Sequence, residues 1–148
     1  MSELKASLKA AMKDAMRSKD KERLSTIRLI QADIKRIEVD ERTELDDARL
    51  LTVLDKMLKQ RRDSIAQYES AGRQELADKE SAEIAVIQSF LPEPLSNDEI
   101  TQLIDNAIKE TGASSMQDMG KLMGLIKPQI QGRADAAEVS RAVKTKLT

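Results

Sequence analysis

Residues 56–83 read KMLKQRRDSIAQYESAGRQELADKESAE, and this stretch decides the fold. At roughly 100° per residue, Leu50, Val53, Leu54, Met57, Leu58, Ile65 and Tyr68 share one face of a helix, with Arg61 in the middle of that face. Gly72 can take the left-handed conformation that ends such a helix. Beyond it, Leu76, Ile84, Ile87, Phe90 and Leu91 make a second stripe that encloses Glu80 and Glu83. A charge seldom enters a core alone, because stripping its water costs several kcal/mol or more. The pattern therefore predicts two antiparallel helices with a structural ion pair, Arg61 meeting Glu80 or Glu83 across the seam. Lys56, Lys59 and Arg62 point away from that seam and form a local basic patch.

Working outward toward the N-terminus, a first helix is predicted over about 2–18, with Leu4, Leu8, Met12, Ala15 and Met16 on one face. Asp20 breaks it and caps a second helix to about Val39, striped by Leu24, Ile27, Ile30, Ile34 and Ile37. The acidic segment VDERTELDD, residues 39–47, is expected to be the loop, and Leu45 before Asp46 reads as a staple and N-cap for the third helix, continuing to about Ala71. The fourth helix runs from about Gln74 to Phe90 and stops at Leu91-Pro92-Glu93-Pro94, whose prolines cannot continue it.

Beyond the prolines, three shorter helices are expected. Ser96 and Glu99 form a capping box, and Gly112 closes that helix. Ser114 or Ser115 caps the next, striped by Met116, Met119, Met123 and Ile126, and IKPQIQGR follows as a loop. Gly120 and Gly124 sit one turn apart, which lets another helix approach closely; interior glycines cost about 1 kcal/mol each, so a packing or binding reason is expected for them. Asp135 with Glu138 reads as a second capping box, opening the last helix. The predicted fold is all-α: a four-helix bundle-like N-terminal domain over residues 1–92, then a small three-helix C-terminal domain over residues 95–148.

The composition narrows function more than it names it. There is no cysteine and no histidine in 148 residues, which excludes disulfides, thiolate zinc sites and cysteine nucleophiles and removes the commonest general base and metal ligand. No apolar run reaches the length of a membrane span, and the first residues lack a signal-peptide apolar region, so cytoplasmic residence is expected. No cofactor or metal is expected, and Glu80 with Glu83 lacks the Glu-x-x-His partner of bundle di-metal sites. Residues 112–115, GASS, lack the Lys-Ser/Thr ending of a phosphate loop and read as a helix cap. Charge runs in blocks: ten basic against five acidic side chains over residues 1–37, then six acidic against one basic over residues 38–47. Such blocks are either solvated helix faces or basic patches that track an anionic partner. Lys121 and Arg133 have no evident core duty and join Lys56, Lys59 and Arg62 as candidate phosphate contacts. With only Tyr68 and Phe90 as aromatics, a single-strand binder is disfavoured; a bound RNA would be a folded one read by shape and phosphates.

The motifs Leu24…Arg28-Leu29-Ile30, Ile34-Lys35…Glu38, Lys56…Lys59-Gln60-Arg61-Arg62-Asp63-Ser64, Ala71-Gly72-Arg73, Glu80…Glu83-Ile84, Leu91-Pro92, Asp118-Met119-Gly120-Lys121…Met123 and Gly132-Arg133-Ala134-Asp135 follow one another in order. In this order and spacing the chain resembles the YqeY-like proteins, relatives of the tail domain of the glutamine-dependent aminoacyl-tRNA amidotransferase B subunit. Ala136 departs from the pattern, standing where glycine is expected. The resemblance implies an N-terminal helical bundle with a three-helix C-terminal domain and a link to tRNA-dependent amidation. It also carries the family label of carbon–nitrogen ligase with glutamine as amido donor. In the resembled enzyme glutamine hydrolysis and transfer belong to parts that this chain does not resemble, so catalytic residues are expected to be none. The readings are then a tRNA-binding accessory module, a helical protein–protein adaptor docking through the Gly120/Gly124 face, or a component active only with amidotransferase subunits.

Overall fold

The computed structural model describes residues 2–148. The chain is all-α: α1 (Glu3–Ser18), α2 (Lys21–Glu41), α3 (Asp47–Ser70), α4 (Gln74–Gln88), α5 (Asn97–Thr111), a 3-10 turn (Met116–Asp118), α6 (Met119–Ile130) and α7 (Ala136–Leu147). It divides into two units, one ending at Pro92 and the other starting at Glu93.

In the first unit each of the first three helices begins where a short polar side chain takes up free N–H groups. Ser2 accepts from Lys5 N–H, Asp20 from Arg23 N–H and Asp46 from Arg49 N–H. The apolar faces these caps set in register close on Leu8, Ile27, Ile30, Leu50, Leu54 and Ile87, all fully buried. Glu38 fastens the α2–α3 corner: it is paired with Lys5 and accepts the Leu45 N–H at 2.8 Å. The predicted acidic loop is shorter than expected, because Val39, Asp40 and Glu41 remain helical and Arg42 ends α2 in the left-handed conformation at φ 54°. Acidic side chains do not stop a helix by themselves; Glu is a good helix former. Arg49 forks onto Glu41 through two bonds of 2.7 Å and holds this last turn.

The second unit is built on Ile104, Leu122, Ile126, Ile130, Val139 and Val143. Ser96 and Glu99 form the reciprocal cap on α5, and Gly112 ends it at φ 70°. Two expectations fail on α6. The helix continues through Pro128 to Ile130 rather than giving way to a loop after Ile126. An interior proline forfeits one backbone bond, but Ile126 and Ile130 lie on the same buried face one turn apart, and their burial offsets it. The buried stripe also centres on Leu122, whereas Met116 is 40% exposed. At α7, Asp135 caps through the Ala137 N–H at 3.2 Å, one residue short of the contact a box with Glu138 needs.

Candidate functional site

The run Lys59-Gln60-Arg61-Arg62 is divided by the helical pitch. Arg61 turns inward, and its Nε donates to Glu83 Oε2 at 2.9 Å and stands 3.9 Å from Glu80 Oε2. Its Nη1 reaches the Met57 carbonyl at 3.4 Å. The three side chains are half-buried rather than sealed, 14%, 23% and 15% exposed for Arg61, Glu80 and Glu83. One guanidinium thus serves two carboxylates. Burial, then the Glu83 charge, pushes the Glu80 carboxyl above its ordinary range against the pull of Arg61.

The apolar face of α3 changes character at this layer. Leu50, Val53, Leu54, Met57 and Leu58 are buried, while Ile65 and Tyr68, predicted to share that face, are only half-buried. On α4, Ala77 and Ile87 are buried and Leu76 and Ile84 are half-buried. The periodicity placed Ile65 and Tyr68 on the correct side; it carried no information on how far the covering helices extend.

Lys56 and Lys59 are exposed on the opposite side of α3, and Arg62 is half-buried beside them. None of the three is in an ion pair among the described residues. Asp63 is exposed one turn from Lys59, so the patch is mixed at its edge. Lys121 is exposed on α6. Arg133 has a structural duty that the sequence did not reveal: its Nε donates to the Glu93 carbonyl at 2.9 Å, and its own carbonyl accepts the Leu95 N–H at 2.9 Å. These two bonds sew the start of the second unit to the α6–α7 turn, where Gly132 stands at φ 74°. No periodic signal marks such a residue, because its partners are backbone groups about forty positions away. The structure places Lys56, Lys59 and Arg62 together on the first unit and Lys121 and Arg133 on the second.

No helix of the described residues packs against Gly120 and Gly124. Both are exposed, and a Cβ built on either would meet nothing within 4 Å. In residues 112–115, Gly112 ends α5, and Asp118 accepts the N–H groups of Ser114 and Ser115 at 3.0 and 3.3 Å, which holds its carboxyl below the usual range. Among the described residues, no group of three or more acidic side chains is arranged to hold a metal ion, and no helix is long and apolar enough to cross a membrane.

The fold and these side chains define an all-helical protein of two units, with its charged groups spread over helix faces and one ionic layer inside a helical hairpin. The chain belongs to the YqeY-like proteins: the family model described as "Yqey-like protein" matches residues 5–147. It is 34% identical over 142 residues to "Altered inheritance of mitochondria protein 41, mitochondrial" of Pyrenophora tritici-repentis, covering 93% of this chain and 77% of that protein. An uncharacterized protein of Schizosaccharomyces pombe is 33% identical over 94 residues, 64% of this chain and 76% of its own. A protein of Vanderwaltozyma polyspora with the same name as the first is 39% identical over 85 residues, 57% of this chain and 46% of that one.

Proposed function

We propose that this chain is a tRNA-binding accessory module that contacts phosphates and overall shape and performs no catalysis of its own. The observation that carries the reading is the division of the α3 run: Arg61 is consumed by Glu83, while Lys56, Lys59 and Arg62 are left with no ion pair among the described residues. Cations without an internal partner supply salt-dependent affinity for a polyanion. Lys121 adds a further exposed cation on α6. Arg133 is a weaker member of the set, since its guanidinium already serves Glu93. Amidotransferase subunits are the protein partners this reading suggests, and cytoplasm is the compartment; the Pyrenophora relative carries "mitochondrial" in its name.

Filter binding of total tRNA across a salt series tests the reading. Lys59→Glu with Arg62→Glu is expected to weaken binding and to flatten the salt slope by roughly one unit for each lost phosphate contact. The melting temperature should stay close to wild type, because Lys59 is exposed and half-buried Arg62 has no ion pair among the described residues to lose. Unchanged affinity and slope in the folded double variant would return this patch to ordinary solvated surface. No binding by the wild-type chain at low salt would end the tRNA reading.

A further inference from the structure

The outward side of α2 carries a stripe that the rest of the described chain leaves open. Lys21, Arg28 and Lys35 recur at seven-residue intervals, and Ser25, Ala32 and Val39 recur at the same interval beside them. At 100° per residue these six and Leu29 fall within an arc of about 120°. All seven are exposed, with Leu29 at 44% and Val39 at 64%. No acidic residue of α2 enters the arc: Glu22, Asp33 and Asp40 lie on one flank, and Glu38 lies on the other, turned to Lys5 and Leu45. Lys21, Arg28 and Lys35 are in no ion pair among the described residues, whereas Arg36, also in the arc, stands 3.7 Å from Asp33 on the flank. Between Lys21 and Leu29 the surface dips into a shallow depression of about 370 Å³, whose floor includes the half-buried Leu24.

Three features select the occupant. A seven-residue period drifts only about 20° per repeat, so the stripe runs nearly along the helix for about 27 Å from Lys21 to Val39, which is how one helix receives another wound gently around it. Ser25 and Ala32 are small enough to let a second backbone approach, and the Lys and Arg stems can lie over its aliphatic side chains. The charges within the stripe are positive, although Lys21 and Ser25 share a depression with Glu75 and Asp78 of α4, so the surface complementary to its Arg28–Lys35 part is acidic. An RNA backbone would match the cations but would leave Leu29 and Val39 against hydrated phosphates, with no apolar surface buried in return. A lipid surface calls for an apolar face of several Trp, Phe or Leu anchors, and this stripe offers Leu29 alone of these.

We infer that the α2 stripe docks an acidic amphipathic helix of a partner protein. An aliphatic side chain of that helix fills the depression beside Leu24 and Leu29, and carboxylates flank it to meet Arg28 and Lys35. This surface lies on a different helix from the α3 patch assigned to tRNA, and the two stand or fall separately.

The probe is a labelled helical peptide of about eighteen residues, with leucines along one face and glutamates on both flanks, titrated with the full chain and followed by fluorescence anisotropy. Two control peptides replace the leucines by serine or the glutamates by glutamine. Saturable binding is expected, weakened about tenfold by either control peptide and about tenfold by Leu29→Gln with Val39→Gln or by Arg28→Glu with Lys35→Glu. Lys9→Glu with Lys13→Glu, on exposed positions of α1, controls for a purely global charge effect and should leave the affinity within about twofold. The Leu29→Gln, Val39→Gln variant changes only exposed sites to a good helix former, so it remains decisive even where the charge-reversed chain proves unstable. Absence of saturable binding overturns the inference. So does peptide binding that is indifferent to Leu29→Gln with Val39→Gln. Loss of total tRNA binding on Arg28→Glu with Lys35→Glu, beside peptide binding that does not respond, overturns it too and makes the stripe a nucleic-acid surface.

Discussion

Arg61 on α3 and Glu83 on α4 are joined across the helical hairpin, guanidinium Nε to carboxylate Oε2, at 2.9 Å. The bond lies where the apolar seam of the hairpin thins, past Leu58 on one helix and before Ile87 on the other. Its stabilising effect is decided by how wet that layer is. A fully sealed pair, once broken, costs about 3–5 kcal/mol because a charge is stranded. Here both side chains keep about one-seventh of their surface in water, 14% and 15%, and the stranded carboxylate can recruit solvent.

Arg61→Ala should therefore destabilise the chain by about 1–3 kcal/mol, within the range for a lost charge-assisted hydrogen bond and below that of a sealed pair. Urea unfolding of wild type and variant measures it. Coincident curves would show that the Arg61–Glu83 contact contributes nothing to folding.

Glu80 and Glu38 should respond to pH with opposite sign. The Glu80 carboxyl is raised, first by burial and then by Glu83. The folded chain thus binds that proton more tightly than the unfolded chain. Its stabilising contribution is full below the ordinary carboxyl value and is lost as pH rises through the raised one. Glu80→Gln should accordingly raise the melting temperature at neutral pH, and the gain should vanish in acid. The Glu38 carboxyl is lowered, first by its bond from Lys5 and then by the Leu45 N–H. Its contribution is present above the ordinary value and is lost as pH falls through the lowered one. Glu38→Gln should lower the melting temperature at neutral pH and converge with wild type in acid. Melting curves from neutral to acidic pH check both; a parallel shift of the two variants would contradict the assignments.

The second unit should fold alone, with low stability for its size. Its bonds define where it begins. Arg133 reaches back to the Glu93 carbonyl, so a segment of residues 93–148 should be more stable than one of residues 95–148 by about 0.5–1.5 kcal/mol, one hydrogen bond's worth. Arg133→Ala in the longer segment should reproduce the loss. Circular dichroism melts of the three segments decide it. A random-coil spectrum for residues 93–148 would show that the second unit depends on the first.

The sequence by itself determined the helices and most of their ends. A 3.6-residue apolar period and a capping side chain are local properties, so Asp20, Asp46 and Ser96 marked their helix starts and Gly72 and Gly112 their stops without any tertiary contact. The Arg61 seam was legible too, because a charge inside an apolar stripe demands a partner; the choice of Glu83 over Glu80 was not, since both lie on the right face and only the packing angle of α4 separates 2.9 Å from 3.9 Å. Tertiary structure alone decided the rest. Burial of Ile126 and Ile130 carried α6 through Pro128, Arg133 was drawn from the surface to a backbone carbonyl about forty residues away, and Gly120 and Gly124 were left facing open space. These outcomes depend on which groups meet across the fold, and periodicity along the chain holds no record of that.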